Sequence, residues 1–170
     1  MARFGGFTII ELMVVVAIGA VLALIAVPSF RDTLNTTRQS SAVGLLMSDL
    51  NQARGEAIKR NGRVLVCVRN VAGTDCGAGT DWRAGWLVCS EGAVANTCAA
   101  SSATNPNPII VRPALDPSLT LTALAAVIIF SANSSQGAGG GAATLRLNGT
   151  WSGATERLIT VAGTGNISKK

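Results

Sequence analysis

Hydrophobic and polar positions divide the chain into three stretches of different period. From Phe7 to Phe30 the residues are almost uniformly apolar, interrupted by a single acid, Glu11. A helix of about 20 such residues crosses the hydrocarbon of a bilayer, so 7–30 predicts a transmembrane helix with one flaw. From 31 to 61 the period changes: Ala42, Leu46, Leu50, Ala53 and Ala57 recur at spacings of three and four, one face of an amphipathic helix. Asp32, Arg38, Asp49, Gln52, Glu56 and Lys59 fall mostly on other faces and are expected in water. Lys59 and Arg60 suit the negative end of a helix dipole, and Asn61-Gly62 is a helix stop. A helix from about Phe7 to Arg60 is about 80 Å long at 1.5 Å per residue. Half of it is expected bare and half covered. Pro28 removes a helical hydrogen bond and crowds the preceding turn, which predicts a kink. Ala17, Gly19, Ala20 and Ala23 either allow close helix approach or simply fill the helix.

After Gly62 the chain becomes β-rich and punctuated by glycines, with alternation visible in Thr144-Leu145-Arg146-Leu147. Strands are expected at Val64–Arg69, Trp86–Ser90, Ile109–Pro113, Leu119–Thr122, Val127–Ser131, Thr144–Leu147 and Arg157–Ala162. Between them Ala72–Thr80, Ala93–Pro108 and Ala132–Ala142 are rich in Gly, Ser, Asn and Ala and read as loops. The fold class is α+β, a long N-terminal helix packed on an antiparallel sheet or small sandwich. The expected divisions are a leader at 1–6, a membrane helix at 7–30, its amphipathic continuation at 31–61, and a β-rich head at 62–170.

Composition narrows the chemistry. The 170 residues carry a net charge of +5 and contain neither histidine nor tyrosine. The commonest general base and the commonest metal ligand are therefore missing. No serine sits in a nucleophile elbow and no carboxylates form a catalytic pair, so no catalytic residue, metal or cofactor is expected. Gly137-Ala138-Gly139-Gly140-Gly141 lacks the Gly-Lys-Ser/Thr ending of a phosphate loop and reads as a flexible connection. The Asn-x-Ser/Thr triplets arise easily in a chain this rich in those residues.

The cysteines fall in two pairs, Cys67 with Cys76 and Cys89 with Cys98, each nine apart. Four cysteines allow three pairings. Local bridges are preferred because each pair flanks a turn-rich stretch; a Cys67–Cys89 bridge would need two adjacent strands. Neither spacing is that of a zinc knuckle or ribbon. Trp82 and Trp86, four apart around Gly85, read as packing groups whose indole N–H finds a partner.

The first thirty residues carry the functional signal. A carboxylate near a bilayer costs on the order of 2.5–3.5 kcal/mol, so Glu11 needs a partner or a role. A secretory signal would place its small-x-small site after the apolar core, near Ala23–Pro28, and leaves Glu11 unexplained. A plain anchor explains the length and not the acid. Cleavage after Gly6 would create an α-amino group to pair with it. Gly6, Phe7 and Glu11 resemble, position for position, the signal of type IV pilins and pseudopilins: a short basic leader ending in Gly, then Phe, with Glu fifth in the mature chain. The resemblance sharpens along Arg54–Gly62, Cys67, Cys76, Asp81-Trp82-Arg83-Ala84-Gly85-Trp86-Leu87-Val88 and Ile128–Asn133, which look like the GspH/FimT family of minor pilins and pseudopilins.

That resemblance implies a type IV pilin-like fold and a structural subunit. It implies cleavage between Gly6 and Phe7 by a prepilin peptidase, N-methylation of Phe7, and assembly through Glu11 with other pilins or pseudopilins on an inner-membrane platform. Membrane lipid is the other expected partner. Arg3 before the span keeps that end cytoplasmic, which puts the head in the periplasm, where disulfides persist. Some relatives bind DNA through a C-terminal Gly-Arg-x-Arg motif. Here Gly165 is retained, but Asn166 and Ser168 replace the arginines. Arg146, Arg157, Lys169 and Lys170 are the remaining candidates for a salt-sensitive DNA surface, the alternative function.

Overall fold

The computed structural model describes residues 8–132, 135–137 and 142–170. Helix α1 (Ile9–Arg60) runs unbroken for 52 residues, through Pro28. Thr8 opens it, its hydroxyl accepting the Glu11 backbone N–H at 3.3 Å. Asn61 closes it in the left-handed conformation (φ 46°), and its N–H bonds back to Ala57 and Ile58. Asn tolerates that conformation better than most side chains, which is why the helix stops where the Asn-Gly pair predicts.

Nine strands follow among the described residues: β1 (Val64–Val68), β2 (Trp86–Ser90), β3 (Ile110–Val111), β4 (Leu119–Ala123), β5 (Val127–Phe130), β6 (Ser135–Gly137), β7 (Ala143–Gly149), β8 (Arg157–Val161) and β9 (Ile167–Lys169). They form two antiparallel sheets, in the orders β3-β2-β1-β5-β6 and β4-β7-β8-β9. Ala42, Leu46, Leu50, Ala53 and Ala57 of α1 enter one core with Val64, Val66, Trp86, Val88, Ile128 and Phe130 of the first sheet. Leu119, Leu121, Leu145, Leu147 and Ile159 of the second sheet complete it.

The two sheets differ in how their strands read. β4 and β7 alternate, with leucines inward and Thr122 and Arg146 outward, because one face is wet. β1, β2 and β5 are apolar throughout because both faces are covered. Their outward residues Leu65, Cys67, Leu87, Cys89, Val127 and Ile129 form a second, smaller cluster, closed by Cys76, Cys98 and Ala126.

The structure departs from the sequence expectation in several places. Asp49, expected in water, is fully buried: it lies three residues after Leu46 and four before Ala53, on the core face of α1. The stretch Ala132–Ala142, expected as loop, contains β6, while 138–141 of the glycine run lie outside the described residues. The strand expected over Ile109–Pro113 is only β3: the Ile109 and Arg112 N–H groups still reach the Val88 and Trp86 carbonyls, but Pro113 has no N–H to extend the ladder. β9, at the edge of its sheet, and a 3-10 turn over Trp82–Ala84 were not expected.

Candidate functional site

The first half of α1 presents its apolar side chains outward. Ile9, Ile10, Leu12, Met13, Val14, Val15, Val16, Ile18, Val21, Leu22, Leu24, Val27 and Phe30 are all at least half exposed. This helix is long and apolar enough to cross a membrane. Glu11 is exposed in its first turn, where the positive end of the helix dipole favours an anion. Gly6 and Phe7 lie outside the described residues. Thr8 was not singled out from sequence, although Thr8-Ile9-Ile10-Glu11 has the spacing of a capping box, the signal that would have found it.

The covered half is fixed to the head by one charged cluster. Asp49 accepts hydrogen bonds from Trp86 Nε1 at 2.9 Å and from Arg112 Nε and Nη2, both at 2.8 Å. The forked guanidinium–carboxylate geometry is the strong form of this pair. Hydrogen bonding to Asp49 raises the Arg112 pKa above its usual value. Around it, four of the six positions in the segment Asp81–Trp86 have a physical reason, that of Trp86 being its bond to Asp49. Asp81 accepts the Arg83 N–H and so opens the 3-10 turn. Trp82 is buried with its indole N–H on the Ala125 carbonyl at 3.1 Å. Gly85 has φ 102°, and a Cβ there would lie 2.3 Å from the Arg112 carbonyl oxygen. The close backbone approach that brings Arg112 to α1 therefore requires glycine. Both tryptophans are buried in the core, with Trp86 also touching a largely apolar cavity between α1 and 112–119.

The cysteines form the bridges Cys67–Cys76 and Cys89–Cys98, each with Cα atoms 5.6 Å apart. β1 and β2 are adjacent, but their register pairs Cys67 with Leu87 and Leu65 with Cys89. Cys67 and Cys89 are thus diagonal neighbours, farther apart than a disulfide spans. The two bridged loops are built alike: Arg69 pairs with Cys76, and Glu91 pairs with Cys98. Asp75 joins them, its Oδ1 accepting the N–H of both Cys76 and Cys98 at 2.7 Å. The sulfurs of Cys76, Cys89 and Cys98 lie within 4.8 Å of one another because the bridges stack, and a disulfide sulfur is not the thiolate a metal needs.

Of the four basic candidates, three converge. Arg157, Lys169 and Lys170 line one pocket with Ser40 and Val43 of α1. Arg146 is elsewhere: it sits on the outward face of β7 and is paired with Glu156 at 3.1 Å. At the far end of α1, Arg60 binds Glu56 at 2.6 Å and Ser90 at 3.0 Å, and also binds Asn105. Its hydrogen bond holds the Glu56 carboxyl below the usual glutamate range, with its charge and that of Lys59 adding to the effect. Asp116 is lowered too, by hydrogen bonds from Ser118 and then by the charge of Arg38, which it meets at 3.2 Å.

The model of the family described as type II transport protein GspH matches residues 42–165. The prokaryotic N-terminal methylation motif matches residues 1–27, which implies prepilin peptidase processing and association with other pilins. No curated protein matches this chain. Two solved structures resemble it, both of the type IV minor pilin FimU of Pseudomonas aeruginosa strain PAO1. In space group P21 the TM-score is 0.60 at 17% identity, over 79% of this chain and 90% of that one. In space group P65 the TM-score is 0.56 at 17% identity, over 77% and 91%. At that identity the likeness is one of fold: a long helix with an apolar N-terminal half, packed on antiparallel sheets. With more than half of its length matched by the family model, the chain belongs to the GspH family, as a structural subunit of the GspH/FimT minor pilin type.

Proposed function

We propose that this subunit is cut between Gly6 and Phe7, methylated at the new Phe7 amine, and held in the inner membrane by 7–30 with its head, 62–170, in the periplasm. From there it joins the priming or tip assembly of a type IV pilus or a type II secretion pseudopilus, on an inner-membrane platform. The observation that carries this reading is the outward-facing apolar half of α1, which the head leaves uncovered and which bears one carboxylate in its first turn. In a bundle of such helices, hydrophobic contact supplies association and Glu11 supplies register, by meeting the Phe7 amine of a neighbouring subunit. In low dielectric that attraction is large, although both ions give up hydration.

Two variants test this. Glu11→Gln keeps size and polarity but removes charge, and Thr8→Ala removes the cap. Both should still enter the membrane. Filament incorporation, read by immunogold labelling of sheared filaments, should be lost in Glu11→Gln and retained in Thr8→Ala. Normal incorporation of Glu11→Gln refutes the register role. Mass spectrometry showing residues 1–6 still attached in the cell refutes the processing.

A second reading is DNA capture by the head. The convergence of Arg157, Lys169 and Lys170 favours it, and the separate position of Arg146 does not. It predicts normal filaments with lost transformation when the lysines are reversed in charge, and a gel shift that weakens steeply with salt.

A further inference from the structure

The pocket formed by β8, β9 and α1 gathers cations that the fold does not use. Ile159 faces Lys169 across the β8–β9 ladder, and Leu158 and Lys170 exchange backbone hydrogen bonds of 3.0 and 2.8 Å. This pairing puts Lys169 on the same face as Ile159 and Arg157, and Lys170, the next residue, joins Lys169 and Arg157 in lining a cavity of about 280 Å³, beside Ser40 and Val43. All three cationic residues are exposed, and among the described residues none has an acidic partner. Glu156, next to Arg157, is already bound by Arg146. Three unpaired cations at one cavity call for an anion. The volume lies at the lower edge of the roughly 300–1,000 Å³ of ligand sites and leaves room for a phosphate together with the group that carries it.

Height along α1 indicates which phosphate. Ser40 is about 15 Å beyond Phe30 at 1.5 Å per residue. A headgroup layer is about 5–7 Å deep on each side of the hydrocarbon. Flexible lysine and arginine stems extend the reach, and charges attract across about 8 Å at physiological salt. As a helix, 7–30 measures about 36 Å against about 30 Å of hydrocarbon, and such an excess is absorbed by tilt, which lowers one flank of the head. The geometry points to this pocket as a site for the phosphate of an anionic phospholipid headgroup, held by Arg157, Lys169, Lys170 and the Ser40 hydroxyl, that docks the head on the membrane before assembly. It rests on the membrane-anchored state proposed above. A nucleic acid strand fits less well, because the cations form a pocket rather than a track and Arg146 faces away.

The full chain, reconstituted in nanodiscs of phosphatidylcholine alone or mixed with phosphatidylglycerol, tests the proposal by hydrogen–deuterium exchange over 40–43 and 157–170. Protection should rise in the anionic disc. It should fall about fivefold for each of Lys169→Gln and Lys170→Gln, the factor a basic residue near an anionic surface contributes. Lys59→Gln, at the other end of the covered helix, should leave it unchanged. Equal exchange in both discs overturns the proposal. The same protection from inorganic phosphate over a phosphatidylcholine disc reassigns the pocket to a free ion, and from a duplex oligonucleotide to nucleic acid; either result overturns the lipid. Co-elution of chain and disc is read separately. A chain that stays outside the disc defeats the anchoring and this proposal with it, whereas entry without headgroup-dependent protection defeats the pocket alone.

Discussion

Asp49 and Arg112 form an unequal pair. Asp49 is fully buried, while a third of the Arg112 side chain still meets water. Losing one partner of a buried pair costs about 3–5 kcal/mol because the other is left uncompensated. Arg112→Ala strands a buried carboxylate with only the Trp86 N–H, so it should reach that range. Asp49→Ala lets Arg112 turn to solvent and should cost less, about 2 kcal/mol. Urea melts of the two variants check the order; the reverse order contradicts the asymmetry. Glu56 makes a second prediction at this scale. Its folded pKa lies below the ordinary 4.5, so its contribution is present above 4.5 and lost as pH falls through the lowered value. Glu56→Gln should lower the neutral-pH melting temperature and flatten the decline below pH 4.5. Legibility at this scale depended on partners. Trp82 and Trp86 were readable as core groups from their spacing, but Asp49 was not, because its partners are 37 and 63 residues away.

At the level of elements, the bridged loops act as a lid over the outer face of the first sheet. Each disulfide closes a loop of separation nine, worth about 2.6 kcal/mol in the chain-entropy account. Cys67→Ser with Cys76→Ser should therefore cost at least about that much, and more where Leu65, Leu87 and Ile129 become wet. Asp75→Ala should loosen both loops together, since it serves both. Exchange of the Cys76 and Cys98 amides reports it; faster exchange at Cys76 alone would show that the loops are independent. The strongly apolar strands β1, β2 and β5 and the alternating β4 and β7 were legible because side-chain period follows burial. β6 and β9 have three residues each, too few for a period, and exist because an edge of each sheet accepts them. The long helix was legible at both ends, through its apolar run and its Asn-Gly stop.

The whole molecule is a rod of about 78 Å whose far half is wrapped on two sides. Gln39 marks the boundary, its amide donating to the carbonyls of Leu147 and Thr155. Force arriving through the bare end enters the head along the axis of α1. To slide, the rod must move the row from Ala42 to Ala57 past both sheets and tear the Asp49 clasp at the same moment. Contacts loaded side by side yield together, whereas contacts loaded in series open one after another. Drawn by its N-terminus in an optical trap, the head should give way in one abrupt rupture, and Arg112→Ala should lower that threshold without adding a second step. A subunit built this way carries tension through its spine and leaves its loops slack.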